Sequence, residues 1–172
     1  MATKVTSGKL NISVTESVTV NGVEQTYTNV KSISGIQRTH HSIISVPVSD
    51  SATAPTNYTT LVTTGALASG GTFVPADIEY IRITNLDDTN WVVLRILDTG
   101  ADTYYIRLSA GETWVSHSPV FEVHQAAGQA VDYKALANTA DTIAAVADGH
   151  TTVPGTRGAV DVEVFIASKT SI

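Results

Sequence analysis

The sequence has 172 residues, of which 42% are hydrophobic, 15% charged and 6% aromatic, with a formal net charge of −6. That length suits one domain, with or without an extended arm, and its core must rest on Val, Ile, Leu and Ala rather than on rings. Ten scattered Lys and Arg leave no basic block for nucleic acid, and the absence of cysteine excludes disulfides, iron–sulfur clusters and thiolate metal sites.

The opening MATKVTSGKL has no apolar h-region, and no run of 18 apolar residues occurs anywhere. Neither export by a standard signal nor membrane insertion is expected. KLNISVTESVTVNGVEQTYTNV then alternates at Leu10, Ile12, Val14, Val18 and Val20 and reaches Asn21-Gly22. This dipeptide between alternating strands is a strong hairpin signal. HSIISVPV predicts a further strand, with Pro47 placing it at an edge or a strand end. The small-polar SDSATAPTN is a connector, NYTTLVT a short strand, and TTGALASGGTFVP a Gly-rich loop.

From Ile78 onward the pattern is denser. IEYIRIT, WVVLRIL, TYYIRL, TWVSH and VFEVH are separated by NLDDTN, DTGAD, SAGE and SP, which predicts a meander at sandwich or barrel spacing. The Ala-rich DYKALANTADTIAAVADGH predicts one short helix. GAVDVEVFIAS closes with Val160, Val162, Val164 and Ile166 alternating against Asp161 and Glu163. The expected class is all-β: an antiparallel, jelly-roll-like β-sandwich with an N-terminal β-hairpin arm. Its parts are the arm at 1–48, the connector and Gly-rich loop at 49–77, and the main sandwich at 78–172.

RILDTGADTYYI resembles the active-site loop of retroviral-type aspartic proteases, in which Asp98 would supply one carboxylate of a homodimeric dyad. Such a dyad needs two carboxylates about 3 Å apart sharing one proton. The flap and the apolar-apolar-Gly of that family do not follow, and Asp-Thr-Gly-Ala-Asp is ordinary hairpin chemistry. Asp87 and Asp88 flank one end of the strand 91–97 and Asp98 and Asp102 the other, roughly 20 Å apart, too far for a shared Ca²⁺ site within one chain. His40 and His41 are adjacent, so on a strand they point to opposite faces. His117 and His124 are expected on neighbouring strands joined at Ser118-Pro119. The cupin-type metal signature, phosphate loop, nucleophile elbow and dinucleotide fingerprint are missing. No catalytic, cofactor or metal residue is expected.

The central strands carry a different signal. Opposite the core positions Val92, Leu94 and Ile96 stand Trp91, Val93, Arg95 and Leu97, a face too apolar for water. Tyr80 and Arg82 share a face on one neighbouring strand, Tyr105 and Arg107 on the other. If register aligns them, Tyr80, Arg82, Trp91, Val93, Arg95, Tyr105 and Arg107 form one sheet face of the aromatic and Arg composition enriched at interfaces. Asp161 and Glu163 are available to pair with its arginines within or between subunits. A second sheet, or the arm, is the alternative cover for that face.

KLNISVTESVTVNGVEQ, IEYIRITNLDDTNWVVLRI, YYIRLSAGETWV and VDVEVFIAS together resemble small virion structural proteins of tailed phages, marine and cyanobacterial ones especially. In these a strand ends in Asn-Leu-Asp, an apolar strand follows, and Leu-x-Ala-Gly-Glu makes the next turn. Residues 126–158 have no counterpart in the pattern. The resemblance implies a non-enzymatic, cofactor-free virion protein, most simply a homotrimeric capsid decoration (cement) protein. Its partners would be the major capsid protein or other virion proteins, with no nucleic acid and no membrane. The alternatives are a neck, tail or receptor-binding component and, more remotely, the aspartic protease.

Overall fold

The computed structural model describes residues 7–50, 55–64, 72–74, 77–98, 103–117, 122–124, 137–147 and 158–169. Its first two strands, β1 (Gly8–Val20) and β2 (Val23–Ile36), form a long antiparallel hairpin. Asn21 and Gly22 both take positive φ, 51° and 78°, which gives the type I′ turn whose twist matches the flanking strands. At the other end Gly8 pairs with Ile36 and Lys9 with Ser34, leaving Gly35 as the extra residue of a bulge at φ 85°. Glycine occupies that left-handed position without steric cost.

The remaining strands are β3 (Arg38–Val46), β4 (Thr59–Thr64), β5 (Thr72–Phe73), β6 (Ile78–Asn85), β7 (Val92–Asp98), β8 (Thr103–Leu108), β9 (Thr113–Ser116), β10 (Glu122–His124), β11 (Ala137–Ala147) and β12 (Val160–Ser168). They form two sheets. Sheet I has the order β3-β12-β6-β9, and sheet II the order β5-β4-β11-β7-β8, with β10 also on β11. All pairs are antiparallel except the two-residue β4–β5 contact. Counted in chain order without β5 and β10, the eight sandwich strands read 1-8-3-6 in one sheet and 2-7-4-5 in the other. That is jelly-roll connectivity.

Period-2 alternation decides what lies between the sheets. Val160, Val162, Val164 and Ile166 are all fully buried, beside Ile81 and Ile83 of the adjacent β6 and in one cluster with Val92, Leu94 and Ile96 of β7 in the other sheet. Each such side chain contributes roughly 1.5–3 kcal/mol by leaving water. Trp114 and Ile106 pack at the margin of that cluster.

Four sequence expectations need correction. The strands β6, β7 and β8, expected to share one sheet face, are divided, because β6 and β9 belong to sheet I and β7 and β8 to sheet II. The Ala-rich segment expected as a helix holds β11, which runs between β4 and β7. There Ile143, Ala145 and Ala147 point into the core, and burial in a central strand overrides alanine's helix propensity. The arm ends at Ile36 rather than residue 48, since β3 pairs along its length with β12 as the edge of sheet I. The sandwich therefore begins at Arg38 and takes in β4 from the expected connector. Pro47 falls just past the end of β3, which is an edge strand of sheet I.

One buried polar side chain ties two turns together. Asn85 at the end of β6 is fully buried. Its Nδ2 donates to the carbonyls of Asn90 (2.8 Å), Ser109 (3.0 Å) and Leu108 (3.3 Å), and its Oδ1 accepts from Asp87 N at 3.0 Å. Asp87 in turn accepts from Thr89 N and Asn90 N, and Ser109 N donates to Glu112 Oε2 at 2.6 Å. The turns after β6 and β8 are thereby clasped at one end of the sandwich.

Candidate interaction surfaces

The outer face of sheet I carries Tyr80 and Arg82 from β6, and Glu163, Phe165 and Ala167 from β12. Tyr80 and Phe165 meet edge to face, with ring centroids 5.9 Å apart. The base of the hairpin covers them: Leu10, Ile12, Ile33 and Ile36 join Tyr80, Phe165 and Ala167 in a second apolar cluster. A groove of about 300 Å³ runs between the arm and this face, lined by Leu10, Ile12, Tyr80, Arg82 and Phe165. Beside it Arg82 Nη2 donates to Glu163 Oε2 at 2.7 Å, and His41 Nε2 lies 2.8 Å from the other oxygen. The expected pairing of Glu163 with an arginine is thus made within the chain. Lys31 Nζ donates to the carbonyl of His117 at 3.1 Å, where the arm crosses the end of β9.

Beyond Lys31 the arm leaves the sandwich. Register places Leu10, Ile12, Val14, Glu16, Val18 and Val20 on one face with Ile33, Lys31, Asn29, Tyr27, Gln25 and Val23. The opposite face is mostly Ser, Thr and Asn, with Lys9, Glu24 and the exposed Val30 among them. There Ser32 Oγ donates to Asn11 at 2.7 Å, Thr15 and Thr28 hydroxyls meet at 3.2 Å, and Ser17 Oγ donates to Glu24 at 2.9 Å. Only the proximal part of the apolar face is covered. Val14, Val18, Val20, Val23 and Tyr27 are 49–62% exposed. A crevice of about 640 Å³ lined by Ile12, Val14, Lys31 and His117 marks the point of departure.

The outer face of sheet II carries Trp91, Val93, Arg95 and Leu97, with Tyr105 opposite Arg95 and Arg107 opposite Val93. The single face expected from sequence therefore divides. Tyr80 and Arg82 lie on the outer side of sheet I under the arm base, and the other five residues lie on the outer side of sheet II. The division arises because the chain crosses between sheets at 86–91, which side-chain alternation alone does not disclose. Arg95 Cζ stacks 4.1 Å from the centre of the Tyr58 ring, and Arg107 Cζ lies 4.7 Å from that of Trp91. Tyr105 is 56% exposed. Burial, then the neighbouring Tyr105, pushes the Tyr58 hydroxyl above its usual range. Arg95 Nε is buried without a hydrogen-bond partner, and among the described residues neither arginine meets a carboxylate. Tyr58 was not anticipated as part of this face; its only sequence signal was its place just before β4.

The acidic and histidine positions disperse. Asp98 ends β7, its backbone paired with Ala140, and residues 99–102 lie outside the described residues. At the other end, hydrogen bonds from the backbone N–H groups of Asn90 and Thr89 hold the Asp87 carboxyl below its ordinary pKa. His40 meets the Phe73 ring edge-on at 6.0 Å while His41 reaches Glu163, so the adjacent pair does point to opposite faces. β9, which precedes His117, is in sheet I, whereas His124 ends β10 on sheet II, so these histidines are not on paired strands. Among the described residues no group of three or more His, Asp or Glu side chains is placed to hold a metal ion. No helix among them is long and apolar enough to cross a membrane. Comparisons with family models, curated proteins and solved structures found no match.

Proposed function

We propose that this chain is a non-enzymatic structural protein of a tailed-phage virion, a homotrimeric decoration protein that stabilises the capsid through contact with the major capsid protein. The observation that carries this reading is the placement of apolar surface outside the core. A jelly roll packs its interior completely, yet projects an arm with Val14, Val18, Val20, Val23 and Tyr27 exposed and displays Trp91, Arg95, Tyr105 and Arg107 on the outer side of sheet II. Exposed apolar patches of this kind mark interaction sites. Single jelly rolls also recur in capsid proteins, an analogy at the level of fold alone. The resemblance of the strand and turn motifs to small virion proteins adds to it.

The test is copy number per purified particle, by quantitative mass spectrometry against the major capsid protein. Icosahedral repetition predicts a count on the order of hundreds. A count on the order of ten refutes the decoration role and replaces it with a neck or tail ring. Absence from the particle overturns the virion reading altogether.

A further inference from the structure

We propose that the distal half of the β1–β2 arm docks on the outer face of sheet II of a neighbouring copy, with Glu16 set against Arg95 and Arg107, so that copies join head to tail. The inference rests on the building-block reading above but not on which part of a virion the protein occupies.

The chain itself shows what this arm packs on. Its proximal residues Leu10, Ile12 and Ile33 sit on Tyr80 and Phe165, with Arg82 alongside. Sheet II displays the same chemistry on its outer side, where Trp91, Tyr58 and Tyr105 surround Arg95 and Arg107. The distal arm face continues the proximal one without a break in register, so the surface that binds a ring-and-arginine patch at its base offers the same row of side chains at its tip.

Charge selects the partner. Glu16 is the one charged side chain on the distal apolar face, among Val14, Val18, Val20, Val23, Gln25, Tyr27 and Asn29. Arg82 on sheet I is already bonded to Glu163, whereas Arg95 and Arg107 have rings but no carboxylate among the described residues. A carboxylate arriving on an apolar strip would supply what those two guanidinium groups lack, and charge-assisted contacts are the stronger ones.

Geometry excludes the arm's own copy. The arm lies on the outer side of sheet I, its distal side chains remain exposed, and its own sheet II outer face is on the far side of the sandwich. A neighbouring copy has no such restriction. From Val14 to the turn the arm offers a strip about 20–25 Å long and two strands, roughly 10 Å, wide. That is smaller than the ~800 Å² per partner of a standard interface. Head-to-tail docking gives each copy two such contacts, one through its arm and one through its sheet, and such heterologous contacts close into a ring when the rotation relating the copies closes. A trimeric ring satisfies both.

The experiment is sedimentation velocity of the full chain, with circular dichroism to confirm folding of every variant. The wild type is expected to be an oligomer. Glu16→Arg and Arg107→Glu, both at exposed positions, should each weaken association about tenfold or more, as close interfacial charge pairs do. The double exchange should restore it. Val18→Asp on the apolar face should dissociate the oligomer, while Thr26→Asp on the Ser/Thr face should leave it intact. A monomeric wild type, an oligomer indifferent to these substitutions, or two dissociating single variants that the exchange fails to rescue would each overturn the inference. Should that happen while particles contain hundreds of copies, the decoration role stands and only the docking is wrong.

Discussion

Asn85→Asp is a near-isosteric change that puts the clasp between the two turns under strain. The side chain donates from one nitrogen to three carbonyls and accepts one backbone N–H. A neutral carboxyl keeps one donor where the amide has two, so one hydrogen bond is lost, about 1 kcal/mol, and a carbonyl is left short of a partner at about 1–3 kcal/mol. Ionisation is worse, because the anion would be fully buried among carbonyl oxygens. The introduced carboxyl should therefore have a raised pKa in the folded chain. A group raised on folding binds more protons folded than unfolded, so stability falls as pH rises above the unfolded value near 3.9. The slope is about 1.4 kcal/mol per pH unit until the folded pKa is reached. Relative to wild type, the loss should be about 2–4 kcal/mol at pH 4 and be larger, above about 4 kcal/mol, at pH 7. Urea unfolding followed by the fluorescence of Trp91 and Trp114 measures it. A loss under about 1 kcal/mol at pH 7, or one that does not change with pH, would refute the account of Asn85 as a buried donor.

Three further outcomes are expected. Asp87→Ala should remove at most about 1 kcal/mol after solvent screening. Since the Asp87 carboxyl is held below its ordinary pKa, its contribution is present above that ordinary value and disappears as pH falls through the folded one; wild type and variant should converge in acid denaturation curves. Ile33→Ala at the arm base should cost about 2–4 kcal/mol of local docking; hydrogen exchange should quicken in β1 and β2 while β6, β7 and β12 keep their protection, and uniform quickening would contradict a separately docked arm. The non-enzymatic reading expects no pepstatin-sensitive cleavage at acid pH from the wild type, so Asp98→Asn should have nothing to abolish; acid proteolysis lost in that variant would revive the protease.

Some of this was legible from particular residues. Asn21-Gly22 inside a strict alternation specifies the hairpin, and Val160 to Ile166 against Asp161 and Glu163 specifies β12 and its buried side. The turn residues that carry the family resemblance also have a local explanation. Asn85, Asp87 and Glu112 hold one another's turns through hydrogen bonds, so that pattern describes how this end of a sandwich is fastened. What alternation does not encode is the sheet to which a strand belongs. Tyr80-x-Arg82 and Trp91-x-Val93-x-Arg95 look like neighbours on one surface until the crossing at 86–91 parts them. β11 was illegible for another reason: Ala144, Ala145 and Ala147 favour a helix in isolation, and only a place between β4 and β7 makes them strand residues.

The position of β12 has a consequence for how the molecule comes into being. It lies between β3 and β6, and its partners in β3 are more than a hundred residues earlier in the sequence. Until β12 is synthesised, β3 and β6 are two strands with open edges, and Val46, Ile81 and Ile83 lack the side chains that bury them. The hairpin needs only its own neighbours and can close in microseconds. A ribosome would thus extrude a finished arm ahead of an unfinished body, whose closure waits on long-range pairing of the slow kind. Stalling before Val160 would leave exposed strand edges prone to joining other chains, so a delay between β11 and β12 is expected to lower the yield of folded protein.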